Sequence, residues 1–520
     1  MDGLYTSTRR NPISSSNRKD ALIDWMKEIL NHSFVLDAPG TYIDSFMYFE
    51  ELIDEHRANP LTSRLKHFVP SVGIFHTRLC LVKAWQQYDA KYSMSKRRHV
   101  CPSFNEFRHI LNLAQVIAIG ENLSLISFDG DQTLYQDGGN FDEDPDNELA
   151  NSIISLLKAN VKVAIITAAG YGNDGSKYAF RLQGLLTSFI THNLSDQEIS
   201  QFYVFGGECN YLLQGHIDTS TTTPTIRLEP VDDKLWENMR IDPILNPRRW
   251  PKDEIKHVLD VAEETFKNTA NEMNLRVKIL RKERAVGIYP GGDEMVRLVP
   301  RGHGSNKIKS EALDESVLRV MESLRHIQPP TALPFCVFNG GRDAWLDIGN
   351  KGVGVAVLQS ILNLPPEQCL HVGDQFLRTG NDRAARENCP CIWITSPRET
   401  EKILSHVLRY KLGGKGDISP RGLAGDGAGI DSVPEEVKDA VEVDEDAAGG
   451  AKIRPMLKRR ISINHNAYSH TPDLVLSNHP HETGDGLNYD PSSSEPPSKV
   501  TRLSVRGDKA SKDAFNIYTG

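Results

Sequence analysis

From residue 20 to residue 120 the apolar positions recur at helical spacing. ALIDWMKEIL puts Leu22, Ile23, Trp25, Met26, Ile29 and Leu30 on one broad face, as an amphipathic helix requires. TYIDSFMYFEELIDEH carries a second such pattern and stops before Pro60, which cannot continue a helix. FNEFRHILNLAQVIAIG gives a third, closed by Gly120. Residues 21–120 therefore read as an N-terminal helical region, and residues 1–20 as a flexible terminus.

The period then changes. LSLISF (123–128) and VKVAIIT (161–167) are short apolar runs of strand length, and ELANSIISLLKAN between them reads as a helix. Such a β–α–β unit implies parallel, buried strands. FCVFNGG (335–341), QCLHVGD (368–374) and CIWITS (391–396) continue the alternation. The pattern predicts an α/β fold with a doubly wound parallel sheet. Its core is expected from residues 121–172 and 333–411, with residues 173–332 as an inserted α/β cap domain, since that interval is too long for a loop and has its own strand and helix signals. After residue 411 the apolar period vanishes. GGKGDISPRGLAGDGAGID and YDPSSSEPPSK are rich in Gly, Pro, Ser and Asp, so residues 412–520 are expected to be a disordered tail, with Ser462 in LKRRISI a candidate phosphorylation site.

Composition narrows the function classes. Apolar residues make up 39% and charged residues 25% of the 520, the balance of a globular protein. No uninterrupted apolar run has the length of a membrane span, and the N-terminus lacks the apolar segment of a secretory signal. The expectation is a cytoplasmic protein with no membrane partner. Net charge is −9, which gives no bulk attraction to nucleic acid. The seven cysteines are scattered, with Cys389 and Cys391 the only close pair and no CxxC, so a zinc site is not indicated.

The chemistry concentrates in LSLISFDGDQTLYQDG. An apolar strand delivers Asp129-Gly130-Asp131-Gln132-Thr133 into a loop. Two carboxylates spaced this way at a strand end can converge on one cation. Asp129 could bind magnesium through one oxygen and attack phosphorus with the other, giving an aspartyl-phosphate. Asp131 would protonate the leaving alcohol and later take a proton from water. Gly130 would leave room for backbone approach to the substrate. An acidic turn after a strand has the same letters, so the rest of the chain must decide. Thr167 ends the second strand, where a hydroxyl can donate to phosphate or simply cap a helix. Lys351, in DIGNKGVGVAV, precedes a helix and can offset charge on a transferring phosphoryl group. Gly349, Gly352 and Gly354 mimic a dinucleotide loop, but with the wrong spacing. Asp374 follows CLHVG and can complete an oxygen shell; Asp382, in TGND, can support that shell or cap the next helix.

These four motifs in order resemble the haloacid dehalogenase superfamily of aspartate phosphotransferases, including members with a cap between the second and third motifs. More closely, KRRHVCPSFNEFRHILNLAQVIAIGENLSLISFDGDQTLYQDGGNF, ITAAGYG, FNGGRDAWLDIGNKGVGV and HVGDQFLRTGND resemble the IMP-specific 5′-nucleotidase family over roughly residues 20–410. The resemblance implies hydrolysis of IMP to inosine and phosphate. It places the nucleophile on Asp129, the acid/base on Asp131, and Mg2+ on Asp129, Asp131 and Asp374. It places the substrate on Asp129, Asp131, Asp137, Thr167, Asp343 and Lys351. It also implies ATP as an activator, with an effector contact near Lys91 and the basic run Lys96, Arg97 and Arg98, and a homotetramer. Tyr171, Phe205 and Tyr289 are candidates to stack on a purine. A sugar-phosphate phosphatase or phosphomutase on the same scaffold, or a non-catalytic relative of the fold, would carry some of the same motifs.

Overall fold

The computed structural model of the chain describes residues 20–35, 41–144, 146–220, 224–237, 245–291 and 308–413. By its contacts the chain divides into residues 1–418 and 419–520, and every described residue lies in the first unit. The tail with Ser462, apart from residues 412–413, and the N-terminal segment before residue 20 fall outside the described residues.

The helical region forms as its period predicts. Helices run over Ala21–Val35, Thr41–Ala58 and Phe104–Ile119, joined by Arg64–Phe68 and Leu81–Tyr92. The start of Phe104–Ile119 is fixed by a capping box in which Ser103 and Glu106 satisfy each other's backbone N–H groups. Phe46, Phe49, Met26, Leu52 and Phe107 fill a core of their own. That core is tied to the rest of the unit by polar contacts. Arg108 pairs with Glu399 at 2.8 Å. Asn112 donates to the carbonyl of Trp393 at 2.7 Å and accepts its N–H at 3.1 Å.

The remaining strands, numbered in chain order, are β1 (Leu125–Phe128), β2 (Lys162–Ile166), β3 (Phe202–Gly206), β4 (Tyr211–Asp218), β5 (Thr225–Pro230), β6 (Val277–Arg281), β7 (Ala285–Pro290), β8 (Phe335–Asn339), β9 (Ala344–Ile348), β10 (Cys369–Gly373) and β11 (Cys391–Trp393). They build two sheets. Seven strands lie in the order β11-β10-β1-β2-β3-β4-β5, and four in the order β6-β7-β9-β8. In the large sheet β11 through β3 are parallel, while β4 and β5 add an antiparallel edge. Every residue of β1, β3 and β10 is buried, as expected of strands covered on both faces. β1 lies between β10 and β2, so the loops after these three strands open at one end of the sheet.

The sheets divide the chain at other points than the pattern suggests. Residues 175–230, expected in the cap, supply helices and β3–β5 to the large sheet. FCVFNGG, expected as a core strand, is β8 and pairs antiparallel with β9 in the small sheet. The reason is physical: a short apolar run states that a strand is buried, not which sheet buries it. One face of the small sheet, with Val286, Ile288, Val337, Leu346 and Ile348, packs under helices Lys252–Glu272 and Ser310–Arg325. By strand alternation the other face presents Cys336, Phe338, Trp345, Asp347 and Tyr289.

Candidate active site

β1 ends at Phe128, and the N–H of Asp129 still bonds the carbonyl of Val372 at 2.9 Å, so the ladder holds the residue in place. Asp129 is 6% exposed. Its Oδ1 accepts from the N–H of Gly130 at 2.8 Å and lies 2.7 Å from the Lys351 ammonium. A Cβ on Gly130 would sit 2.4 Å from the hydroxyl of Tyr135, so a larger residue here would have to push that buried ring aside.

Lys351 reaches this point from the small sheet. β9 ends at Ile348, Gly349 turns the chain with φ 100°, and Asn350 caps the helix Lys351–Leu362 by accepting from the N–H of Val353 at 2.9 Å. A Cβ on Gly349 would lie 2.2 Å from the carbonyl oxygen of Glu208, so only glycine fits. The lysine is 0% exposed and also bonds Asp382 Oδ1 at 2.6 Å. Burial works against its charge, but the carboxylates of Asp129 and Asp382 outweigh burial and hold it protonated.

Asp382 is the anchor of this group. Its Oδ1 also lies 3.0 Å from Nε2 of His371, and its Oδ2 accepts from the N–H of Gln375 at 2.8 Å. Burial opposes its charge, yet Lys351 and His371 hold it well below the usual carboxylate range. Asp374 closes the group. Oxygens of Asp129, Asp374 and Asp382 all lie within 4.8 Å of one another. Burial and the neighbouring Asp382 push Asp374 up to about 7, and burial raises Asp129 well above its ordinary value despite Lys351. Oδ1 of Asp374 is buried without a hydrogen-bond partner. Three carboxylates facing one ammonium leave negative charge uncompensated, and a divalent cation fits that deficit and that orphaned oxygen.

Asp131, expected beside these ligands, turns its carboxylate elsewhere. Its Oδ1 bonds Arg181 at 2.9 Å and the N–H of Gly138 at 2.9 Å, and Asp382 takes the third place in the carboxylate group. Thr167 is 4% exposed at the end of β2, with Oγ1 accepting from the N–H of Ala169 at 3.1 Å. A Cβ on Gly130 would stand 3.5 Å from that Oγ1, so the threonine borders the Asp129 loop. Asp137, in the loop after β1, and Asp343, between β8 and β9, come from different sheets and lie near each other. Arg342 Nε lies 3.5 Å from Asp137. Burial, together with the charge of Asp137, raises Asp343, which also accepts from the indole of Trp345. Lys91 belongs to the helical region instead: it is exposed near the end of helix Leu81–Tyr92, 5.2 Å above the ring of Tyr92. Of the basic run, Arg97 is already paired with Glu106.

Of the aromatic candidates, Phe205 is 0% exposed and packs edge-on against Trp236, which removes it from any purine site. Tyr171 faces Tyr178, with ring centroids 5.0 Å apart. Trp345, not singled out in the sequence, is half-buried on β9 with the Lys282 ammonium 4.7 Å over its ring. Sequence reasoning also missed Arg181, His371 and Glu208. Glu208 lies between Gly207 and Cys209, and all three have positive φ. It is fully buried, accepts from Asn381 at 2.9 Å and leaves Oε2 without a partner. Burial, partly offset by Lys351, raises it to about 7. The one sequence signal was the GGEC turn itself, a charged residue directly after an apolar strand.

Known proteins resemble the chain over most of the described unit. The sequence model of a family described as IMP-specific 5′-nucleotidase matches residues 37–404. IMP-specific 5′-nucleotidase 1 of Plasmodium falciparum is 36% identical over 396 residues, covering 76% of this chain and 84% of that protein. The Schizosaccharomyces pombe protein of that name is 38% identical over 419 residues, covering 76% and 96%. Among solved structures, an IMP-bound mutant of Plasmodium falciparum IMP-nucleotidase has a TM-score of 0.67 at 35% identity, covering 76% of this chain and 96% of the other. An ATP-bound structure of Plasmodium falciparum IMP-nucleotidase has a TM-score of 0.63 at 35% identity, covering 76% and 86%.

Proposed function

The chain belongs to the IMP-specific 5′-nucleotidase family, and from that premise we propose that it hydrolyses inosine 5′-monophosphate to inosine and phosphate through an aspartyl-phosphate on Asp129. The carrying observation is the placement of Asp129: buried at the end of β1, with Oδ1 fixed by Lys351 and Gly130 and a candidate cation site beside it. The cation is Mg2+, held by Asp129 and Asp374 with Asp382 behind them. When bound it offsets the charge of these carboxylates and of the transferring group.

The residues divide the work. An oxygen of Asp129 forms a bond to phosphorus as the bond from phosphorus to O5′ breaks. Asp131 gives its proton to O5′, so inosine leaves neutral. Asp131 then takes a proton from water as the water oxygen bonds phosphorus and Asp129 is released. Arg181 orients Asp131 for both transfers. Thr167 and Lys351 hold phosphate oxygens, and Asp137 and Asp343 accept from ribose hydroxyls at the rim. Phosphate release from a panel of nucleoside and sugar monophosphates with Mg2+ tests the reading. A sugar phosphate turned over in preference to IMP would refute it.

Asp131→Asn separates the two roles. The nucleophile remains but the proton carrier is lost, so kcat on IMP should fall about 10²–10⁴-fold. Where dephosphorylation suffers more, labelled phospho-enzyme should accumulate on acid quench. Turnover at the wild-type rate would remove Asp131 from the acid/base role.

We also read the enzyme as an ATP-activated homotetramer of the cytoplasm. The ATP-bound relative supports the ligand, and exposed Lys91 lies close enough to affect His406 electrostatically, together with Arg409. Lys91→Ala should weaken activation by ATP and leave the rate without ATP unchanged. An unchanged ATP response would place the effector elsewhere, and light scattering reads the assembly.

A further inference from the structure

His371 occupies the middle of β10, directly opposite Ser127 in the β1–β10 register. Both are buried, the histidine completely. Nothing in a nucleotidase mechanism calls for a polar pair inside the central strands, and an apolar residue would pack there without cost. The ring bridges two partners. Nδ1 lies 2.9 Å from Ser127 Oγ, and Nε2 lies 3.0 Å from Asp382 Oδ1.

The partners fix the direction of each bond. The Asp382 carboxylate can only accept, so Nε2 carries the hydrogen. The neutral ring then accepts at Nδ1 from the Ser127 hydroxyl, for which Nδ1 at 2.9 Å is a nearer acceptor than the Leu370 carbonyl at 3.4 Å. Asp382 Oδ1 receives two donors, His371 and the Lys351 ammonium. Its Oδ2 receives the N–H of Gln375, and one of its two oxygens lies within 4.8 Å of oxygens of Asp129 and Asp374. Gly373 permits this close approach: a Cβ there would lie 2.3 Å from Asp382 Cγ. Asp382 thus has one orientation, and the lysine it holds has one place against Asp129.

We propose that His371 is a positioning residue for the reaction: its Nε2–H locks the Asp382 carboxylate, and through it the Lys351 ammonium and the cation-facing oxygen. The proposal rests on the reading of Asp129 and its neighbours as the reacting group. It predicts an order between two substitutions of similar polarity. The amide nitrogen of glutamine reaches the position of imidazole Nε2, whereas that of asparagine reaches only the position of Nδ1.

His371→Gln should therefore keep kcat on IMP within about threefold of wild type. His371→Asn should lower kcat by about 10–100-fold, the usual loss when a group supporting a metal ligand is removed, with KM within about threefold. Rates are taken per folded molecule, measured by thermal unfolding of the full chain. Calorimetric titration of the substrate-free chain with Mg2+ should give the same order, with the asparagine variant binding about 10–100-fold more weakly. Equal kcat per folded molecule in His371→Asn and wild type, or His371→Gln as impaired as His371→Asn, would overturn the proposal. If His371→Asn does not fold, Ser127→Ala decides by removing the ring's other anchor: kcat should fall several-fold, and an unchanged kcat would overturn it. A wild-type chain that leaves IMP intact would refute the nucleotidase reading, and the Mg2+ titrations would still decide the role of His371.

Discussion

Asp129→Asn is expected to abolish phosphate release from IMP, a fall of at least about 10⁴-fold, the scale seen when a nucleophile is removed from an enzyme. The substitution keeps size and shape. The introduced amide would turn its oxygen toward Lys351 and the Gly130 N–H, since both donate at Asp129 Oδ1. Its NH2 would then occupy the place of the attacking oxygen, and an amide nitrogen does not form the acyl-phosphate. Neither excess Mg2+ nor ATP should restore activity. Acid-quench labelling with IMP carrying labelled phosphate should find label on the wild type and none on the variant. Label retained by the variant would show that another residue attacks.

Lys351→Met should damage both folding and catalysis. The lysine is fully buried between Asp129 and Asp382, at 2.7 and 2.6 Å. Methionine fills most of the volume but leaves two buried carboxylates facing each other without a counter-charge. Removing one partner of such a group costs about 3–5 kcal/mol, a large share of the stability of an ordinary domain. Chemical denaturation should show that loss in the midpoint. Among molecules that remain folded, kcat should fall by at least about 10²-fold, because an ammonium fixed beside the transferring group is lost. A variant as stable as wild type would mean that the carboxylates do not depend on this lysine for charge balance.

Much of this site could be read before any coordinates, and the reason lies in where its parts sit. Asp129, Thr167 and Asp374 each follow a buried strand, so an apolar run that stops at a polar letter announces them. Lys351 opens a helix after a glycine, which is also visible locally. For Asp382 the sequence left two readings, support of the oxygen shell or a helix cap, because what decides between them comes from Lys351, 31 positions away, and His371, 11 away. Glu208 is further removed: its partner Asn381 lies 173 residues on. His371 reads as one more letter in a strand, and only the pairing of β1 with β10 brings Ser127 to it. The boundaries of the cap failed for a related reason. Periodicity marks strands, but β3–β5 and β8–β9 take their sheet from partners the period does not name.

The two residues Gly349 and Asn350 are all the chain that separates the last strand of the small sheet from Lys351. The small sheet is therefore not a cassette that could be exchanged for another cap without regard to the chemistry below it. One residue inserted at this joint would rotate the start of the helix by about 100° and turn the ammonium away from Asp129. One residue deleted would press a side chain into the Glu208 carbonyl, where Gly349 now lies. Length variation and domain grafting should be tolerated elsewhere around the cap, but at this joint the spacing of the chain is itself part of the candidate active site.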